Sequence, residues 1–145
     1  VLEAPARIDL APLGFSPRRW TLRVGHVDFL RISEGSLRYV VNLYSDVWLL
    51  RFTQNTRKFR NLSAEQIVSQ VLGEHGVAHR FQLMRPTETR KYCAQYRESN
   101  LDFVHRLLEH EGIYYFFKHD DGRHTLVLAD SYSAHDLIPG YDKLP

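Results

Sequence analysis

The run Ile113-Tyr114-Tyr115-Phe116-Phe117 constrains this chain more than any other feature. It precedes His119-Asp120-Asp121-Gly122-Arg123, whose Asp-Gly step suits a tight hairpin turn, and Thr125-Leu126-Val127-Leu128-Ala129 reads as the returning strand. Side chains alternate across a strand, so Ile113, Tyr115 and Phe117 face one way and Tyr114 and Phe116 the other. Both faces are apolar, whereas a sheet wet on one side alternates with polar residues. Each face therefore needs a cover: the preceding helix on one side, another sheet or subunit on the other. A face left bare would mark a binding surface.

That preceding helix carries clear punctuation. Ser99 stands three residues before Asp102; Leu101, Val104, Leu107 and Leu108 form a stripe with Phe103 beside it, and Gly112 stops it. The same grammar occurs earlier. Ser63 and Gln66 form a capping box, Ile67, Val68, Val71 and Leu72 recur at helical spacing, and Gly76 closes a helix expected over about 64–75. The two units share an offset of 36, since 99 − 63 and 112 − 76 both give it. Shared helix punctuation explains this better than duplication, and two copies are too few for a solenoid.

The first part of the chain signals β structure. Ile8 and Leu10 alternate with charged neighbours; Trp20, Leu22 and Val24 follow a turn marked by Pro12, Gly14 and Pro17; Leu37, Tyr39, Val41 and Leu43 share one strand face. Gly25 reads as a bend and Ser33-Glu34-Gly35-Ser36 as a turn. Val47-Trp48-Leu49-Leu50 suits a buried segment of either type.

At 145 residues the chain makes one domain or two small ones. It starts at Val1 without Met and so reads as an excised piece, with targeting information outside it. No apolar run approaches the ~20 residues of a membrane helix. Nineteen basic against 17 acidic residues leave a net charge of +2, too little to imply nucleic acid. The densest basic stretch, Arg57-Lys58-Phe59-Arg60, reads as a solvated loop before a helix.

Chemistry is poorly represented. His75 and His79 are separated by the helix stop at Gly76, His105 and Glu109 meet at i,i+4, and His119 and His124 face each other across the hairpin; none completes a metal set. Cys93, the single cysteine, lies in a strand-like stretch and reads as a small core residue. There is no G-x-S-x-G elbow and no phosphate-cradling glycine loop. No catalytic residue, metal site or cofactor is expected. Glu98 and Asp102 complement the helix N-terminus, and Arg97 beside them is a candidate interface anchor.

The run from Tyr92 through Asp130, including Tyr-Arg-Glu-Ser-Asn-Leu-Asp-Phe-Val-His-Arg-Leu-Leu-Glu-His-Glu-Gly, closely resembles VgrG proteins, the spike proteins of the bacterial type VI secretion system. Trp48-Leu49-Leu50, Asn55-Thr56-Arg57-Lys58-Phe59 and the Ser63–Gly76 helix follow the same family's order, so the resemblance spans about 45–130. Leu22 lies where the family usually has Gly. Asn100 stands where Asp is commoner, and both suit a helix's first turn.

The resemblance implies an α+β fold: β-rich barrel-like modules of a phage tail hub with two short helices, as a partial fragment of the hub domain. Residues 1–52 would form the strand-rich part of the first barrel module. Residues 53–145 would form a helix-strand-helix-hairpin module leading into the second. It further implies a homotrimer that docks on an Hcp-type tube and delivers spike-borne effectors, assembled in the bacterial cytoplasm and exported without a signal peptide. Tyr114, Phe116, Trp48 and Arg97 are the candidate assembly residues. Rival readings are a contractile phage tail hub, a nucleic-acid binder using Arg57, Lys58 and Arg60, and a small hydrolase or metal enzyme. Phe116→Asp is expected to harm assembly or solubility more than Arg57→Ala.

Overall fold

The computed structural model describes residues 4–11, 18–33, 36–120 and 123–135. Three antiparallel strands open the chain: β1 (Pro5–Leu10), β2 (Arg18–Ser33) and β3 (Ser36–Tyr44), in the order β1-β2-β3. The expected alternations become register, with Ile8 opposite Trp20, Val27 opposite Val41 and Phe29 opposite Tyr39. Pro12, Gly14, Pro17 and the Glu34-Gly35 step lie outside the described residues.

Gly25 does not end the strand as a bend would. The 16-residue β2 runs through it, and the β2–β3 ladder slips register between Val24 and His26, and again between Phe29 and Arg31. Such bulges absorb the twist of a long strand. Gly25 is required by contact: a Cβ there would stand 2.4 Å from the Tyr44 ring and 3.2 Å from Trp48.

A 3-10 helix (Asp46–Phe52) follows, deciding the form of the Val47–Leu50 segment. Val47 and Leu50 turn inward, and Trp48 stacks on Tyr44 with ring centroids 4.1 Å apart. The basic run is not a loop. Arg57, Lys58 and Phe59 belong to β4 (Gln54–Phe59), which pairs with β8 (Cys93–Ser99). Period-two alternation sends Asn55, Arg57 and Phe59 inward, and buried Phe59 stacks on Phe103 at 5.5 Å. Cys93 is a buried free thiol in β8, as expected.

Short strands β5 (Leu62–Ser63) and β7 (Thr89–Arg90) pair beside helix α1 (Ala64–Glu74). Its capping box forms as read: Ser63 Oγ accepts from the Gln66 N–H, and Gln66 Oε1 accepts from the Ser63 N–H. Helix α2 (Asn100–Glu111) is capped by Ser99, which accepts from the Asp102 N–H. Both helices close alike. Val77 and Gly76 donate to Leu72 and Gly73, and Ile113 and Gly112 donate to Leu108 and Glu109. Gly76 and Gly112 adopt φ of 66° and 69°. The 36-residue echo thus has a local cause: one cap and one left-handed closure, each bringing a buried apolar residue back onto the last turn.

Strands β6 (His79–Gln82), β9 (Tyr114–Asp120) and β10 (Arg123–Ala129) form a sheet in the order β6-β10-β9. The β9–β10 hairpin forms as expected, although Asp121 and Gly122 lie outside the described residues. The parallel β6–β10 pairing has no local sequence signal. Ile67, Val68, Val71 and Leu72 of α1 meet Phe103, Val104, Leu107 and Leu108 of α2 in one core, with Leu126 and Leu128 of β10 beneath. No sheet closes into a barrel among the described residues, and none of their helices is long and apolar enough to cross a membrane.

Candidate assembly surface

One face of the Ile113–Phe117 run is covered as the sequence requires. Tyr115 and Phe117 pack against the helical core, and the Tyr115 hydroxyl lies 2.9 Å from His105 Nε2. His105 therefore reaches forward to the strand, not along its helix to Glu109. Burial pushes the Tyr115 phenol up.

On the other face, residues that follow the hairpin supply a cover from within the chain. His135, just after a second 3-10 turn (Tyr132–Ala134), stacks on Phe116 at 4.3 Å and on Tyr114 at 5.6 Å, and the Tyr114 hydroxyl donates to the Ser131 carbonyl. The cover is partial: Tyr114 remains exposed and Phe116 half-buried. Nearby Met84 and Tyr132 are open to solvent.

Trp48 sits at a joint, not on the hairpin. It is held between Tyr44 and Phe52, with the Arg51 guanidinium 5.6 Å from its ring. Arg97 lies elsewhere again. Asn55 pairs with Glu98 and Arg57 with Gln95, so Tyr96 and Arg97 together oppose Thr56 in a bulge. Arg97 takes φ of 47°, its N–H donates to Thr56 Oγ1, and its carbonyl accepts from Gln54 Nε2. The four candidate residues thus occupy three separate places.

The histidines are similarly dispersed. His79 bonds Ser69 and the Val77 carbonyl, and His75 bonds Asn100, while His119 and His124 do meet across the hairpin at 5.8 Å. No group of three or more His, Cys, Asp or Glu is placed to hold a metal ion among the described residues. Arg57 is committed to Glu74 and Gln95 and lies over Phe59, which removes it from any open phosphate patch.

Two features escaped the sequence reading. The first is a buried polar cluster. Asn100 and Gln95 are fully enclosed, and Asn100 Oδ1 accepts from both Gln95 Nε2 and Asn55 Nδ2 while its amide meets His75. Asn100 is more than a first-turn residue, because its side chain ties α2 to β4, β8 and the end of α1. The second is the far half of the β2–β3 ribbon. Leu37, Tyr39 and Val41 share a face with Val27 and Phe29, and it is bare: Leu37 is 58 % exposed, Tyr39 54 % and Phe29 55 %. The alternation of β3 was legible, but no sequence pattern says whether its apolar face finds a cover.

The profile of the phage tail baseplate hub (GPD) family matches residues 1–145. The type VI secretion system spike protein VgrG1b of Pseudomonas aeruginosa is 44 % identical over 109 residues, covering 74 % of this chain and 15 % of that protein. Spike protein VgrG1c of the same organism is 44 % identical over 130 residues, covering 85 % of this chain and 18 % of its own length. The actin cross-linking toxin VgrG1 of Vibrio cholerae is 36 % identical over 102 residues, which make up 70 % of this chain and 9 % of the toxin. Among solved structures, the E. coli c3393 protein superposes with a TM-score of 0.76 at 25 % identity, covering 93 % of this chain and 45 % of that one. It is described as a component of the type VI secretion system, similar in structure to the T4 bacteriophage tail proteins gp27 and gp5. The chain spans under a fifth of the length of the spike proteins it matches. A full-length family match, spike-protein relatives and a tail-hub-like neighbour agree with the strand-rich fold, and the chain belongs to the phage tail baseplate hub family as a hub domain of the VgrG kind.

Proposed function

We propose that this chain is the hub part of a type VI secretion spike that assembles as a homotrimer, seats on an Hcp-type tube and carries effectors through contraction, without catalysis of its own. The observation that carries this reading is the bare apolar face of β2 and β3. Val27, Phe29, Leu37, Tyr39 and Val41 form one contiguous strip on two paired strands. A strip of that kind is costly in water and suits burial against further copies of the chain. The Tyr114–Phe116 face and its exposed neighbours Met84 and Tyr132 form a second surface, which we assign to the tube or to cargo.

Light scattering across a concentration series tests the assembly step. The mass should rise toward three chains, and Phe29→Asp should hold it at one. A monomer at every concentration, with the variant indistinguishable, would remove the strip from the assembly.

The family profile, named for a phage tail hub, favours one second reading: the same part in a contractile phage tail. Its physics is identical, and co-purification with a tail tube protein instead of an Hcp-type ring separates the two settings.

A further inference from the structure

We propose that His119 and His124 form a proton-operated latch that holds the β1–β3 sheet against the β9–β10 hairpin and releases it on mild acidification. The two residues pair across the hairpin, and β2 packs on both of its strands. Each ring serves another element as an acceptor. The backbone N–H of Thr21, in β2, donates to His119 Nδ1 at 3.4 Å. The backbone N–H of Asp46, where β3 passes into the 3-10 helix, donates to His124 Nε2 at 3.2 Å. An imidazole nitrogen accepts only when it carries no proton, so the Thr21 contact requires a neutral His119 that is protonated on Nε2. Adding a second proton turns the His119 acceptor into a donor that faces the Thr21 N–H. It also places the new charge 5.8 Å from the His124 ring.

The groups around the pair decide which ring leads. His124 is buried, and its Nε2 lies 3.4 Å from Asp46 Oδ2, a carboxylate also held by Arg23 of β2. His119 faces His124, Asp120 and the β2 backbone. Burial holds it below the ordinary histidine value and His124 adds to this, against a smaller opposing pull from Asp120. A histidine with a depressed folded-state value contributes in full above its unfolded value, and that contribution fades as pH falls below about 6.5. A cavity of about 410 Å³ beside the pair, lined by Thr21, Arg23, Asp46, Arg123 and His124, admits the water that release needs.

The remaining attachments explain why release would be local. The sheet is also tied by the Arg23–Asp46 ion pair and the Tyr44–Trp48 stack, whereas the α1–α2 core makes its contacts without either histidine.

Amide hydrogen exchange on the 145-residue chain, read residue by residue from about pH 7.5 to about pH 5, tests the latch. After correction for intrinsic exchange, protection at Thr21 and its β2 neighbours should fall about tenfold while α1 and α2 hold theirs. The double variant His119→Gln, His124→Gln, which keeps acceptors that do not titrate, should retain β2 protection at both pH values. Ring-proton titration of the unmodified chain gives a readout independent of any variant, and His119 should titrate below an exposed histidine. Unchanged β2 protection, loss of protection in all elements together, or the same acid response in the double variant would each overturn the latch.

Discussion

The buried side chain of Asn100 lies 2.7 Å from Nε2 of His75, joining the first residue of α2 to the residue that ends α1. Its Oδ1 accepts two further bonds, from Gln95 and Asn55. Replacing Asn100 by Leu takes that acceptor from both donors and leaves Gln95 Nε2 only the Glu98 carbonyl, at a cost of about 2–4 kcal/mol. Asn100→Asp should cost less than Asn100→Leu, because Asp keeps the acceptor for Gln95 and Asn55 and an N–H of His75 turned toward it offsets part of the cost of enclosing its charge. Urea denaturation of the two variants checks the contrast. Asn and Asp have nearly the same volume, so equal loss in both would mean that keeping the acceptor alone does not meet the requirement.

Arg57 is the centre of a second tie. It donates to Gln95 and, through Nη1, to both carboxylate oxygens of Glu74. Burial pushes the Glu74 carboxyl up, but the hydrogen bonds from Arg57 and Gln70 and the Arg57 charge outweigh it and leave it below its ordinary value. A carboxylate of that kind stabilises the fold above its unfolded value near 4.5 and ceases to do so as pH falls through the lower, folded one. Arg57→Ala should cost about 1 kcal/mol at neutral pH and flatten the stability profile below about pH 4.5. The basic run therefore supplies no neutral reference against which to judge Phe116→Asp. Thermal melts of the single variant between pH 3 and pH 7 would measure it.

What was legible in the sequence follows from the range of the forces involved. The helix caps, the Gly76 and Gly112 closures and the β9–β10 hairpin are written in residues a few positions apart, and all of them stand in the structure. Features joining distant segments were not legible. The β4–β8 pairing put Arg57 into a strand, the parallel β6–β10 pairing set the sheet order, and the convergence of Asn55, Gln95 and Asn100 made a buried cluster from ordinary polar residues. Of the candidate assembly surface, only the sidedness of the strands was legible. Alternation identified apolar strand faces, but whether His135 covers Phe116, or anything covers Phe29, depends on packing that no local pattern encodes.

Gly25 offers a test of one such long-range constraint. The Tyr44 ring occupies the space a methyl would need and is itself stacked on Trp48, so it cannot swing aside without breaking that stack. Gly25→Ala should destabilise by about 1–3 kcal/mol and perturb the near-ultraviolet dichroism of the Tyr44–Trp48 pair. A silent substitution would show that the bulge can relax around a side chain.

The two helix closures should respond alike. Gly76 and Gly112 hold φ of 66° and 69°, and a Cβ at either would meet no atom within 4 Å, so crowding plays no part. Alanine at either site should cost about 1 kcal/mol through backbone strain alone. Asparagine, which tolerates the left-handed region better, should recover part of it. Chemical denaturation of the four variants tests this, and a large difference between the two sites would show that one closure is under tertiary control.

Phe29 and Phe103 separate what the fold needs from what an assembly needs. Phe103 is fully buried, stacked on Phe59 in the helical core, and its truncation to Ala should cost about 3–5 kcal/mol. Phe29 is 55 % exposed and meets Tyr39 edge-on at 5.5 Å. Its burial within the chain is small, so Phe29→Asp should lower stability by only about 1 kcal/mol. If the strip is an assembly surface, the exposed residue gives the larger loss of self-association and the buried one the larger loss of melting temperature. A Phe29 variant that melts much earlier than the parent chain would mean that the ribbon's own packing depends on it, and the strip's exposure would then argue nothing about partners.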